Sequence, residues 1–305
     1  MAVHDAMFGT SSRLIRSCLA GLCLSPCFFS NSPASVDVCQ QPSAFSHLSI
    51  AYYDYEKSYF EQGFGEAKRE KTNSDLLFRL SDNWSVGAGH RYTILEIEPL
   101  ESQTNGHLHT FFVPLHRESQ SDRKTFRLSI APALSASSNV MKNPNEYNAD
   151  AFQLIAALVW SRQPSDRAIV RYGVCGDHRF GNYEIYLSVS VELQPDADWT
   201  IELGFPTSQL TYQVSKSLIS SLRITPDGNK WYVMDKALER QSKLVYKAWL
   251  FEWTVGWLVH EHFMVKASVG RQFDNENNMT LLNEDRVTFR TDPVTRLGVA
   301  LTWRF

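Results

Sequence analysis

Val294-Thr295-Arg296-Leu297-Gly298-Val299-Ala300-Leu301-Thr302-Trp303-Arg304-Phe305 closes the chain, and its reading decides the fold class. Leu297, Val299, Leu301, Trp303 and Phe305 are apolar at every second position. Arg296, Gly298, Ala300, Thr302 and Arg304, between them, are charged, polar or small. Successive side chains of an extended strand point to opposite faces, so a repeat of two means one greasy face and one wet or crowded face.

The same alternation recurs upstream. Tyr183, Ile185, Leu187, Val189, Val191 and Leu193 share one face, and Glu184, Tyr186, Ser188, Ser190 and Glu192 the other. Over 243–258, Val245, Trp249, Phe251, Trp253, Val255 and Trp257 oppose Tyr246, Ala248, Glu252, Thr254 and Gly256. Glu252 sets that register, because a slip of one residue would turn it toward lipid and every ring inward. Strands are expected at 45–55, 74–80, 84–95, 107–114, 124–134, 151–161, 168–175, 182–193, 199–205, 208–214, 218–225, 243–258, 262–273 and 294–305. That makes an all-β chain of about fourteen strands, or twelve or thirteen if 199–214 is one bent element, with twelve the fallback.

The connections alternate as well. Short ones fall at 81–83, 163–167, 194–198, 215–217 and 260–261, and longer polar ones at 56–73, 96–106, 135–150, 226–242 and 274–293. Only 115–123, long for a turn, and 205–208, short for a loop, break the rule. Short turns at one end and long loops at the other describe a transmembrane antiparallel up-and-down β-barrel, with short periplasmic turns and longer external loops. The barrel is expected to occupy 45–305.

Composition agrees with that reading. The 305 residues carry 30 Lys plus Arg against 33 Asp plus Glu, so nothing electrostatic favours a nucleic-acid partner. Mean hydropathy is −0.28, and the chain has no apolar run of about eighteen residues such as a membrane helix needs. A spanning barrel needs only alternate apolar residues. Trp84, Trp160, Trp199, Trp257 and Trp303 each fall near an expected short turn or the last residue. Trp249 lies farther up the strand of Trp257, by a projected distance of roughly 20 Å, comparable to the apolar band of such barrels. These six form an expected interface girdle, since an indole ring is apolar and its N–H wants water.

Arg13 and Arg16 precede an apolar run from Cys18 to Phe29 and small residues at Ser32 and Ala34. This is the layout of a secretory signal, expected over 1–34, with 35–44 a short N-terminal segment of the mature chain. Removal of 1–34 would leave Cys39 and Cys175, either bridged in an oxidising compartment or as two free thiols.

The terminal strand, with Leu297, Val299, Leu301, Trp303 and Phe305, resembles the C-terminal assembly signal of bacterial outer-membrane β-barrel proteins. That resemblance implies a Gram-negative outer-membrane location and barrel-assembly machinery as a partner. Leu203-Gly204-Phe205-Pro206-Thr207-Ser208, then Tyr212-Gln213, Pro226-Asp227-Gly228 and Trp231, is similar to a family of uncharacterised outer-membrane barrel proteins with GFPxS, YQ and PDGxxW motifs. The likeness covers about thirty residues around these motifs and implies fold and location, with no catalytic residue to transfer. Asp227-Gly228 is also a tight-turn dipeptide and Pro206 a ladder breaker, so both motifs have a purely structural reading.

Charges on the wet faces are expected in the lumen, because lipid would not accept them. Arg127, Glu184, Glu192, Glu202, Glu252, Lys266 and Arg304 form this set, together with Arg79, Arg91, Arg171 and Arg223. Opposed Arg and Glu either pair across strands or line an aqueous pore. His107 and His109 share one strand face and would need a third ligand to hold a metal. His260 and His262 flank a turn without the HExxH spacing. No serine stands in a nucleophile elbow. No cofactor or metal is therefore expected, and an enzyme is not expected. The mixed charges of 56–73 suit water or the sugars of lipopolysaccharide. The expectation is a passive channel or small-solute transporter; the alternatives are a closed structural or surface-binding barrel and, after that, an outer-membrane hydrolase.

Overall fold

A computed structural model describes residues 37–40, 45–61, 65–98, 106–143, 145, 147–235, 240–280 and 286–305. The chain divides into Met1–Ser30 and Asn31–Phe305. The expected signal segment lies outside the described residues, and everything below concerns the second unit.

Period-two segments become strands in chain order: β1 (His47–Tyr55), β2 (Ser58–Tyr59), β3 (Glu66–Arg79), β4 (Trp84–Glu98), β5 (His107–Phe112), β6 (Leu115–Ser121), β7 (Lys124–Ser137), β8 (Phe152–Ser165) and β9 (Ala168–Phe180). Then come β10 (Asn182–Leu193), β11 (Trp199–Phe205), β12 (Ser208–Ser215), β13 (Leu218–Pro226), β14 (Asn229–Asp235), β15 (Arg240–His260), β16 (Phe263–Thr280), β17 (Arg286–Thr291) and β18 (Val294–Arg304). One helical turn, α1 (Ser138–Met141), follows β7.

Neighbours pair antiparallel around the sheet, and β18 returns to β1, with His47 opposite Arg304 and Tyr55 opposite Arg296. The segment pairs β1/β2, β5/β6, β13/β14 and β17/β18 each continue one interrupted stave, so the described residues form a closed barrel of fourteen staves. Closure gives the backbone polar groups partners that lipid would not supply.

The outer wall is apolar: Ile50, Phe111, Ile185, Leu187, Phe251 and Leu301 are all exposed. The inner wall carries buried Ser49, Asn73, Asp75, Thr110, Ser129 and Gln272. Apolar outside and polar inside inverts the layout of a water-soluble protein and is that of a transmembrane barrel. Near the short turns, outward rings touch in series. Phe126 and Trp160 lie 5.2 Å apart, Trp199 and Tyr212 4.6 Å, and Trp303 and Phe305 5.9 Å. Trp84 and Trp257 are exposed at the same end. Trp249 stands higher up and meets Phe180 edge-on at 6.1 Å.

Several expected loops are strand instead. Residues 115–123 contain β6, which resumes after Pro114 and turns at Asp122 (φ 48°) and Arg123. Proline has no N–H for the ladder, so one stave reads as two pieces. The mixed-charge stretch 56–73 contains the first half of β3, and 226–242 and 274–293 contain β14, the tops of β15 and β16, and β17. A strand that has passed beyond the lipid has less reason to keep one face greasy, so its alternation fades. Val245, assigned outward from sequence, is 5 % exposed because the β9–β10 turn at Gly181 lies over it.

Candidate functional site

Three polar networks line the lumen. Antiparallel register sets Glu252 of β15 opposite Arg223 of β13, and Arg223 Nη2 donates to Glu252 Oε2 at 2.8 Å. Arg296 of β18 donates to the other carboxylate oxygen and lies over the Tyr53 ring at 4.3 Å. Lys266 lines the same small cavity, of about 40 Å³. A second network holds Arg69 between the rings of Tyr55 (4.0 Å) and Tyr246 (4.1 Å), where it donates to Gln272. Gln272 Nε2 in turn donates to Asp227 at 2.6 Å, and Lys71 pairs with Asp227 at 3.0 Å. In the third, Arg171 pairs with Glu192 at 2.6 Å and with Glu202 at 3.3 Å.

The remaining sequence-selected charges are placed differently. Arg127 is 6 % exposed and lines a cavity of about 80 Å³ with Arg171. Arg304 lies over Phe45 at 5.9 Å, and Arg91 over Phe112 at 5.0 Å. Arg79 donates to the Asp82 carbonyl at the turn. Glu184 is exposed near the top of β10 and joins none of the three networks.

Residues 37–40 pack against the inner faces of these strands. Cys39 is bonded to Cys175 of β9, with Cα atoms 5.9 Å apart, which resolves the alternative left open by the sequence. Val38 is buried with Leu77, Phe112, Ala131 and Ala133. Asp37 accepts from Arg179 at 2.7 Å, and Arg179 Nε donates to Asp177 at 2.6 Å. Tyr186 donates to the same Asp177 oxygen at 3.0 Å. Burial alone would push the Asp37 carboxyl up, but the Arg179 guanidinium outweighs it and holds the group below the ordinary range. Gln40 donates to the Thr207 hydroxyl at 3.2 Å. Residues 37–40 are thereby stapled to the inner wall. A lumen cavity of about 120 Å³ lies beside them, against Asp37, Val38, Lys71, Asp177, Arg179 and Asp227. A water occupies about 30 Å³ of liquid, so this space holds a few waters.

The two motif regions meet. Phe205-Pro206 forms the β11–β12 turn, Pro226-Asp227-Gly228 the break between β13 and β14, and the Thr207 and Thr225 hydroxyls lie 2.9 Å apart between them. Beyond the break β14 bends inward, where Tyr232 bridges to Ala136 of β7 and Trp231 is buried. Sequence reasoning missed Arg69, Lys71, Asp177, Arg179 and Arg296 as site residues. Arg69 and Lys71 fell in an expected loop, Asp177 and Arg179 between the expected strands 168–175 and 182–193, and Arg296 meets Glu252, 44 residues away.

His107 and His109 point outward on β5. His109 stacks on His90 at 5.4 Å, its Nδ1 3.1 Å from His90 Nε2 and its Nε2 2.7 Å from the Ser138 hydroxyl. His260 and His262 sit at the β15–β16 turn. Cys39, Cys175 and Asp177 cluster within 4.8 Å, but the two sulfurs are bonded to each other, so no thiolate is left to ligate a metal.

No protein-family model and no curated protein sequence matches the chain. Among solved structures it is similar to an outer-membrane channel from Pseudomonas putida F1, at 9 % identity and TM-score 0.46, over 90 % of this chain and 99 % of that one. It is similar to the KdgM porin at 10 % identity and TM-score 0.37, over 84 % and 99 %. It is also similar to the toluene transporter TodX of Pseudomonas putida, at 11 % identity and TM-score 0.38, over 87 % and 90 %. These proteins are β-barrels of the outer membrane, and likenesses this distant bring no activity to this chain.

Proposed function

We propose that the protein is an outer-membrane barrel of passive-channel type for small solutes, closed at rest by its own N-terminal segment. One observation carries this reading. A charged lumen, wrapped in an apolar belt, holds a cavity of about 120 Å³ against a segment joined to the wall by the Cys39–Cys175 bond. Export by 1–34 and assembly through the terminal strand, with Phe305, belong to the same proposal, with lipid and lipopolysaccharide as its surroundings. The paired charges favour a second reading, a closed structural or binding barrel, because ion-paired networks stiffen a wall as well as line a path.

Planar-bilayer recording separates the two. Wild-type protein gives rare conductance steps, and reductant or Cys39→Ser makes them frequent. Silence of the wild type, the reduced protein and the variant alike favours the closed barrel. Silence together with hydrolysis of lipid or peptide substrates favours an enzyme. Location has its own test: Phe305→Asp lowers the yield of heat-modifiable protein in outer-membrane fractions. An unchanged yield removes the terminal strand from the assembly argument.

A further inference from the structure

The staves differ widely in length. β11 has 7 residues and β12 has 8, against 21 for β15 and 18 for β16. At ~3.3 Å per residue and a tilt of ~40°, β11 rises roughly 18 Å, short of the ~25 Å apolar belt. β10 pairs with β11 only as far as Val189 opposite Phe205, and β13 with β12 only as far as Ile224 opposite Ser208. Above that hairpin β14 turns inward to β7 instead of running up beside β10. Among the described residues, no backbone hydrogen bond joins residues 182–188 of β10 to β13, β14 or β15. The wall therefore lacks its ladder at the height of the outer leaflet, where an open strand edge is otherwise avoided. The flank of the gap faces lipid, with Ile185 71 % and Leu187 69 % exposed.

Side chains fill the gap instead. Phe180 stacks on Phe205 at 5.7 Å and meets Trp249 edge-on at 6.1 Å. Tyr186 meets Phe180 at 5.2 Å and Phe205 at 5.9 Å, both edge-on. Above them the turn of β9–β10 leans on Gly228, where a Cβ would collide with the Arg179 carbonyl and come within 2.8 Å of Gly181 N. Immediately inside lies the cavity of about 120 Å³, lined by Asp177, Arg179, Thr225, Asp227 and Gly228.

We propose that this aromatic-filled gap is a lateral window between the lumen and the outer leaflet, and that it takes amphiphiles with an apolar tail and a small polar head. The chemistry on its two sides selects that class. A wholly polar solute would have to pass four rings and lipid, and a wholly apolar one gains nothing from Arg179 and Asp177. An amphiphile leaves its tail among Phe180, Phe205 and Trp249 and sets its head against the charged groups behind them. A few ring–ring contacts are individually weak, so they yield far more readily than a strand ladder. The window deepens the channel reading by naming a substrate class and a lateral route.

The test uses full-length protein in phospholipid vesicles with a diazirine-bearing palmitic acid, irradiated and mapped by mass spectrometry. The expected result is attachment concentrated at Phe180, Phe205 and Trp249, in excess of outward residues elsewhere on the belt such as Ile50 and Ile130. In Phe180→Ala/Phe205→Ala, attachment extends inward to residues 177–179 and 226–228 and rises several-fold there. Gly228→Val, which wedges the turn away, has the same effect without removing a ring and covers the case in which the double variant fails to assemble. Uniform belt labelling in the wild type, or no inward labelling in an assembled variant, overturns the window. A protein that conducts without window labelling loses only this inference, and one that labels without conducting loses only the channel.

Discussion

Glu252→Gln lowers the stability of the assembled barrel by about 3–5 kcal/mol, the usual cost of removing one partner from a buried ion pair. The carboxylate is 4 % exposed and faces two guanidiniums, those of Arg223 and Arg296, and Arg296 is itself 4 % exposed. A neutral amide leaves the two cations close together with no charge between them. Urea titration of protein refolded into lipid vesicles reads the loss, and Glu252→Gln/Arg296→Met recovers part of it by removing the orphaned cation. A loss below about 1 kcal/mol would show that water already screens these charges.

Phe251→Arg is the second large effect, at ~2–4 kcal/mol, against ~0–1 kcal/mol for Val259→Arg. Both side chains are outward on β15 and 47 % exposed, so burial does not separate them. Depth does. Val259 stands at the short-turn end beside Glu261, whereas Phe251 lies well up the strand, near the midplane of the belt. Urea midpoints of the two variants in the same vesicles make the comparison. Equal losses would mean that β15 crosses the lipid at another height.

The sequence is legible wherever a strand has lipid on one side and the lumen on the other. Val294–Arg304, β10 and the lower part of β15 keep strict alternation for that reason. Their facing, and the placing of Glu252 beside Arg223, follow from register alone. Legibility ends where both faces are polar. Asn275, Asn277 and Asn278 are all buried in β16, yet the stretch reads as loop because nothing apolar alternates with them. β6 fails similarly: after Pro114 its His116, Arg117, Glu118, Ser119 and Gln120 are polar on both faces. In the lumen, Arg69 was hidden inside a charge run, and its partners Tyr246, Gln272 and Tyr55 belong to three separate strands. The Cys39–Cys175 bond was open because spacing alone does not choose between a bridge and two thiols. Proximity of β9 to the N-terminal segment is a property of the closed sheet.

The Cys39–Cys175 bond also constrains the order in which the molecule is made. It spans 136 residues and encloses β1 through most of β9, so it ties off half of the staves, and β18 is not among them. A chain oxidised in the periplasm therefore reaches the membrane already carrying residues 37–40 against the face that will become the lumen. It needs no later threading of a free end through a finished cylinder. A chain oxidised only after closure must find Cys175 from inside a narrow, crowded tube. The bond thus makes the timing of thiol oxidation, relative to sheet closure, the step that sets whether residues 37–40 are fixed to the wall before or after the cylinder forms.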